Sequence, residues 1–396
     1  MPKLIVWPHL VYFCLMAGLY LHIPFCKQAC HYCDFHFSTN LGRIDDLVDA
    51  MVQEIKVQKD FFGLVPTSIE TIYIGGGTPS LLSQDQLSRL FDAIRSHFPV
   101  TPKAEVTLEA NPDDISIKGL ESWLQLGVNR LSIGIQTFDQ AALAYCNRAH
   151  NATEALDAVQ LAQAAGINNL SIDLMYGIPI SDDAVWDNDI KTALGLGVPH
   201  ISAYCLTVEP KTTFGHWAKT GRLKAVDEDV AAQQYDTLVA RLKQAGYEHY
   251  EVSNFAQPSQ YAVHNTNYWR YLPYLGIGPS AHSFDGQNRY ANVANNTKYV
   301  SGIQTDPSNK TEWRSTETLT GDEKIGEYLL TSLRTQWGAD LVFLKDQLGY
   351  DLIPSTQTMI FGWVQDGLAE YQLGQKLILT DEGRLLADHL TLKLLP

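Results

Sequence analysis

Amphipathic helical stretches and short apolar strands alternate through the first two thirds of the chain. Ile44, Leu47, Val48, Met51 and Ile55 share one helical face, and so do Leu87, Leu90, Phe91 and Ile94. Ser83 stands three residues before Gln86, the spacing of a capping box that opens the second of these helices. Strands are expected at 19–23, 71–74, 105–108, 130–133, 169–174, 200–204 and 248–252. Four glycines, Gly127, Gly166, Gly197 and Gly246, each close a helical stretch and lead into one of these strands. Glycine is the expected helix stop there, because it tolerates positive φ. Helix, glycine and strand in series imply a parallel sheet wound with helices, barrel-like or doubly wound. Gln136, Asp173, Cys205 and Asn254 stand just past the strands, where parallel sheets carry their sites, so these four are expected on one rim.

The pattern degrades near Asp285. Residues 286–319 are rich in Asn, Gln, Ser, Thr and Lys and read as a linker. Residues 320–396 read as a small helical module, with a hairpin about Gly374 that gives it a winged-helix-like shape. At the other end, residues 4–19 are apolar apart from His9 and are broken by Pro8. That run is shorter than the roughly 20 residues of a spanning helix. Residues 1–18 are therefore read as an extension or a mis-set start, with Met16 as the alternative beginning, and 19–285 as the main α/β unit.

Composition narrows the functional classes. The chain has 396 residues, 45% of them hydrophobic, enough for a sizeable core. A formal charge of −15 argues against a surface built to neutralise phosphate backbones, so no nucleic-acid partner is expected. The C-terminal module has few Lys or Arg and is taken as a cover or docking module. Six cysteines are too few for a disulfide framework, and Cys26, Cys30 and Cys33 crowd together as metal ligands do in a reducing, cytoplasmic compartment.

Three thiolates on one loop suit a soft metal. A structural zinc site would recruit a fourth ligand such as His22, His31 or His36. A [4Fe–4S] cubane can take three cysteines and leave one iron open. Spacing alone leaves both alternatives standing. Gly75-Gly76-Gly77-Thr78-Pro79 after a strand permits close backbone approach, and no Lys-Ser/Thr follows it to make a phosphate loop.

Cys26-x3-Cys30-x2-Cys33 at the end of a first strand, followed by helix–strand units, resembles the radical S-adenosylmethionine superfamily. The resemblance implies a partial (β/α) barrel in which a [4Fe–4S] cluster chelates S-adenosylmethionine through its open iron. Phe25, Phe35 and Phe37 suit the exclusion of water and oxygen that such a cluster needs. Further motifs in order are similar to the coproporphyrinogen dehydrogenase-like branch: Tyr20-x-His22, the Gly75–Pro79 run, Glu109, Ser132–Gln136, Asn147-Arg148-x-His150 and Asp173–Pro179. Carried over by motif, the S-adenosylmethionine contacts are Tyr20, Tyr32, Gly76, Gly77, Thr78, Glu109, Gln136, Arg148 and Asp173. Carboxylates would take ribose and amine, and Arg148 the carboxylate.

The dehydrogenase pattern has a further cysteine two positions after the third, where this chain has Phe35. Cys33-Asp34-Phe35 and His264-Asn265-x-x-Tyr268-Trp269 resemble instead the HemW-type heme chaperones. That resemblance implies heme binding, delivery to apo-hemoproteins such as respiratory enzymes, a homodimer, and transient contact with membrane proteins. It also implies no dehydrogenase activity and no catalytic residue of that kind. An imidazole can ligate heme iron and aromatic faces can hold a macrocycle, so His264, Tyr268 and Trp269 are the expected heme contacts. The alternatives are the oxygen-independent coproporphyrinogen III dehydrogenase and a zinc protein without redox chemistry.

Overall fold

The computed structural model describes residues 16–63, 67–223, 227–372 and 375–396; the N-terminal run 1–15 and the Gly374 turn lie outside them. The first half is a repeated strand–helix winding: β1 (Met16–Ile23), α1 (Ile44–Val57), β2 (Ser68–Gly76), α2 (Gln84–His97), β3 (Val100–Ala110), α3 (Ile117–Leu126) and β4 (Arg130–Gln136). It continues through α4 (Gln140–Tyr145), α5 (Ala152–Ala164), β5 (Leu170–Tyr176), α6 (Asp183–Gly195) and β6 (His200–Cys205). Strands β1 to β6 are parallel neighbours in order. Both sides of the expected capping box at Ser83 are made, and Gly127, Gly166, Gly197 and Gly246 all have φ between 63° and 91°.

Alternation along these strands sorts side chains between two faces. Leu19, Leu21 and Ile23 join Leu47, Met51 and Ile55 of α1 in the main core under the helices. The opposite face is polar. Tyr20 pairs in register with Tyr73, Thr107 with Arg130, Glu109 with Ser132, Ser171 with His200 and Asp173 with Ser202. The sheet curves around this polar lumen without closing.

Beyond β6 come α7 (Thr213–Lys219), α8 (Glu228–Gln244), β7 (Glu248–Glu251) and β8 (Asn254–Ala256). The expected strand at 248–252 exists but does not pair with β6. β8 turns back between them, antiparallel to both, because a two-residue connection permits only a hairpin return. Asn254 is therefore buried beside Ser202 and Glu251, away from the rim expected for it. Next, α9 (Val263–Trp269) enters the lumen, and β9 (Tyr274–Ile277) pairs parallel to the free edge of β1.

The stretch read as a linker is structured. After β10 (His282–Phe284) it forms β11 (Asn288–Asn292), α10 (Asn296–Thr305) and β12 (Arg314–Thr318). β10, β11 and β12 extend the sheet to twelve strands. Their polarity is that of a sheet edge, and long-range pairing rather than local hydrophobicity holds them. Buried Glu54 of α1 ties this edge down, accepting from Gly278 N, Asn292 Nδ2 and the Tyr299 hydroxyl.

The C-terminal part runs α11 (Gly321–Ser332), β13 (Ala339–Asp340), α12 (Leu341–Leu348), α13 (Ile353–Gln365), β14 (Ala369–Gln372), β15 (Lys376–Leu379), α14 (Asp381–Leu385) and α15 (Ala387–Leu392). Its helices surround a three-stranded sheet in the order β13-β15-β14 and bury a separate core that includes Leu329, Leu344, Leu377 and Leu394. Helix, strand, two helices and a hairpin follow in the order of a winged helix. Among the described residues no helix is long and apolar enough to cross a membrane.

Candidate functional site

One cavity of about 570 Å³ opens at the carboxyl ends of the parallel strands. Cys26, Cys30, Cys33, Tyr32, Gly76, Gly77, Thr78, Glu109, Gln136, Arg148 and Asp173 all line it, so motifs spread over nearly 150 residues converge. Tyr20 does not line it. Its ring points into the lumen below, stacked on Tyr73, and its hydroxyl meets His22 Nδ1 at 3.0 Å. Cys205, Tyr204, Asn111 and Ser132 belong to the wall as well. Asn111 and Tyr204 are not among the expected site residues, although each stands at the carboxyl end of a parallel strand, the signal that found their neighbours.

The cysteine loop is held from several sides. Lys27 forms ion pairs with Asp113, at 2.8 Å, and with Asp114 after β3. Asn147, at a left-handed φ of 56°, accepts from Gln28 Nε2 and donates to the Ala29 carbonyl, both at 2.7 Å. Arg148 donates through Nη1 to Cys30 Sγ at 3.3 Å and to the Tyr32 hydroxyl at 3.4 Å. Its Nη2 donates to Asn111 Oδ1 and the Gly134 carbonyl. Both ends of the guanidinium are thus spent on the protein, and Arg148 stands as a brace of the cysteine loop where a carboxylate partner was expected.

The glycine run also differs from expectation. A Cβ on Gly77 would lie 2.6 Å from the Phe25 carbonyl, one on Gly76 would meet the His22 ring at 2.7 Å, and one on Gly75 the Glu109 carboxyl at 2.8 Å. The glycines let β2 close on the root of the cysteine loop, with Gly77 N donating to the Ile23 carbonyl and Thr78 N to that of Phe25. They bring the loop and Glu109 together; they do so by touching protein.

Burial dominates the electrostatics. It raises Glu109 to about 7, against a Tyr73 hydroxyl that donates to it at 2.7 Å, and Asp173 to about 6, against the nearby Arg130 charge. Burial pushes the Cys33 thiol up to about 11 and the Cys26 thiol upward too, with Thr78 pulling the latter back. Soft metal binding would supply the free energy that deprotonates them.

Two of the three histidines that could complete a zinc site are engaged within the protein. His22 is neutral, lowered to about 4 by burial, and lies between Tyr20 and the His36 carbonyl. His31 faces the Tyr145 carbonyl and packs on Phe214 and Trp217. A cubane needs only the three cysteines, all of which line the cavity, so the chemistry of this donor set fits one. Phe35 gives no cover: its ring is 72% exposed.

The expected heme contacts lie elsewhere and are not open. His264 is 2% exposed. Its Nδ1 meets Thr71 Oγ1 and its Nε2 the Tyr268 hydroxyl, both at 2.7 Å. Burial lowers it to about 3, so the ring is neutral, and it stacks on Tyr73. Glu105 accepts from the amides of Val263 and His264, fixing the start of α9 inside the lumen. Trp269 is half-buried, with Nε1 unpartnered. So arranged, His264 offers iron no free lone pair, and its surroundings are filled by protein.

The family description "Radical SAM superfamily" matches residues 20–191. A protein named heme chaperone HemW from Bacillus subtilis is 34% identical over 375 residues, covering 94% of this chain and 97% of that one. HemW of Escherichia coli K12 is 38% identical over 267 residues, 67% of this chain and 69% of that one. The solved structure of coproporphyrinogen III oxidase (HemN) from Escherichia coli overlays with a TM-score of 0.81 at 24% identity, covering 96% of this chain and 89% of that one. At that identity the likeness speaks for fold. A partial parallel barrel with a cysteine-lined cavity at its strand ends defines a radical SAM protein. Within that class, the chain belongs to the HemW family.

Proposed function

We propose that this chain is a heme chaperone, binding a [4Fe–4S] cluster, S-adenosylmethionine and heme, and passing heme to apo-hemoproteins such as respiratory enzymes. Kinship with HemW proteins over nearly the whole chain supports the reading. The single observation that carries it against a dehydrogenase is local: an outward-facing Phe35 stands where the dehydrogenase pattern has its further cysteine. Cytoplasmic residence, a homodimer and transient contact with membrane proteins belong to the same proposal.

Cys26, Cys30 and Cys33 would hold the cluster, which supplies one-electron chemistry to a chelated sulfonium compound when bound. The chain's own residues set its surroundings. Arg148 holds the Cys30 sulfur beside a positive charge, a hydrogen bond of the kind that tunes cluster potential. Glu109 and Asp173 both line the cavity, where carboxylates suit ribose hydroxyls and an amino group.

Anaerobic heme titration followed by transfer to an apo-hemoprotein tests the reading, run beside a coproporphyrinogen assay on the same preparation. A Soret band and transfer without porphyrinogen formation are expected. Protoporphyrinogen made with reductant and S-adenosylmethionine would establish the enzyme instead.

A further inference from the structure

With His264 enclosed, heme needs another place, and the surface just past the third cysteine has the parts for one. Phe35 is the most exposed large apolar side chain among the described residues and stands at the mouth of the cavity. A phenyl ring left in water forgoes the free energy of burial that its apolar surface could gain against a flat ligand. Beside it, His36 is half-buried, and its Nε2 lies 2.7 Å from Asn296 Oδ1. An amide oxygen only accepts, so in the neutral ring Nε2 carries the proton and Nδ1 keeps an in-plane lone pair. Fixing one nitrogen so that the other faces a metal is what an outer partner does for a ligating histidine. The main chain here is anchored too, since the His36 carbonyl accepts from His22 Nε2 at 3.1 Å.

Asn296, the partner of this histidine, also lines a crevice of mixed polar and apolar character. Asn296 opens α10, and Arg43 reaches the next residue, Thr297, at 3.5 Å. Arg43, Asn296 and Thr297 share the walls of a space of about 110 Å³ with the apolar Phe25, Leu47 and Val300. Arg43 is half exposed and pairs through Nε with the equally exposed Asp46 at 3.1 Å, and the first turn of α10 adds its partial positive charge. An imidazole with a free lone pair, an uncovered aromatic face and a half-exposed arginine that can exchange its surface carboxylate partner complement the three parts of heme: iron, macrocycle and propionate.

We propose that heme docks on this surface, with His36 Nδ1 as axial ligand, the Phe35 ring against the macrocycle and Arg43 beside a propionate. The assignment rests on the heme-chaperone reading and gives it a place.

Cluster-loaded protein is titrated with hemin under anaerobic conditions while the Soret band is followed. His36→Gly should weaken binding roughly ten- to hundredfold, with the iron–sulfur absorbance unchanged. Added imidazole should then restore the band, a gain that a mere packing defect would not show. Arg43→Ala should cost about two- to fivefold, and Phe35→Ala should weaken binding without altering the axial-ligand spectrum. A His36→Gly protein that titrates like the wild type, or one that loses heme and cluster together and regains neither with imidazole, overturns the assignment. Wild-type protein that takes up no hemin at all removes the heme-chaperone reading itself.

Discussion

The two most distinctive stretches of this sequence lie at opposite ends of one barrel lumen and do opposite things. At the carboxyl ends of the strands, the cysteine loop surrounds open space. At the other end, the His264–Trp269 helix fills space: Thr71, Glu105 and Tyr268 saturate His264 and the helix start. Both stretches combine histidine or cysteine with aromatics, and composition alone makes both look like ligand sites. What separates them is whether their polar atoms are already spent within the protein. A motif of polar residues can specify a plug as readily as a pocket.

The comparison is sharpened most strongly by removing one thiolate. Cys30→Ser should abolish the cluster, because no spare cysteine follows in the loop, and anaerobic absorbance with iron content should fall to background. Next in size is the plug's anchor. Glu105→Ala would leave Arg130, 1% exposed, without the carboxylate 4.0 Å away and would free two helix-end amides. A buried charge stripped of its partner typically costs about 3–5 kcal/mol. Urea unfolding should show a loss of that order, and a loss below about 1 kcal/mol would mean that the anchor is solvated after all.

A smaller effect separates the two ends directly. His264→Ala should cost about 1–3 kcal/mol, since Thr71 and Tyr268 lose a partner, and should leave hemin affinity unchanged. A variant of undiminished stability that no longer binds hemin would reverse the comparison and make α9 a ligand site.

How much of this was legible in the sequence depends on the range of the interactions involved. The cysteine loop, the glycine stops and the six parallel strands were readable because each rests on local pattern. Hairpin strand β8 and edge strands β11 and β12 were not, because short polar segments gain their structure from distant partners. The burial of His264 was illegible for a different reason. This lumen reverses the usual rule of apolar interiors: Tyr20, Thr71, Tyr73, Glu105 and Arg130 meet inside it, and such side chains read as surface or site when seen in line. Their mutual satisfaction appears only when the strands are set in register. Likewise, the three glycines announced a close approach, and only the fold shows that the approaching groups are the cysteine loop, His22 and Glu109.

The weakest expected effect tests the boundary between the two regions. Glu109 sits at the cavity floor yet is bonded from the lumen by Tyr73, and in the folded chain it titrates near 7 against an ordinary value of 4.5. Between those values the folded state holds a proton that the unfolded state has released. Stability must therefore fall as pH rises through that window, and this contribution is fully present only below about 4.5. Asp173, raised to about 6, adds the same sign. Buried neutral histidines such as His22 and His264 carry the opposite sign, so the readout is a difference. In cluster-free protein, the urea midpoint of the wild type relative to Glu109→Gln, whose amide does not titrate, should decline from pH 5 to pH 7.5. A difference that stays flat over that interval would mean that Glu109 is charged in the folded state, an arrangement that needs a cation beside it. Such a result would place the carboxylate with the plug's ion-paired network and out of the open cavity.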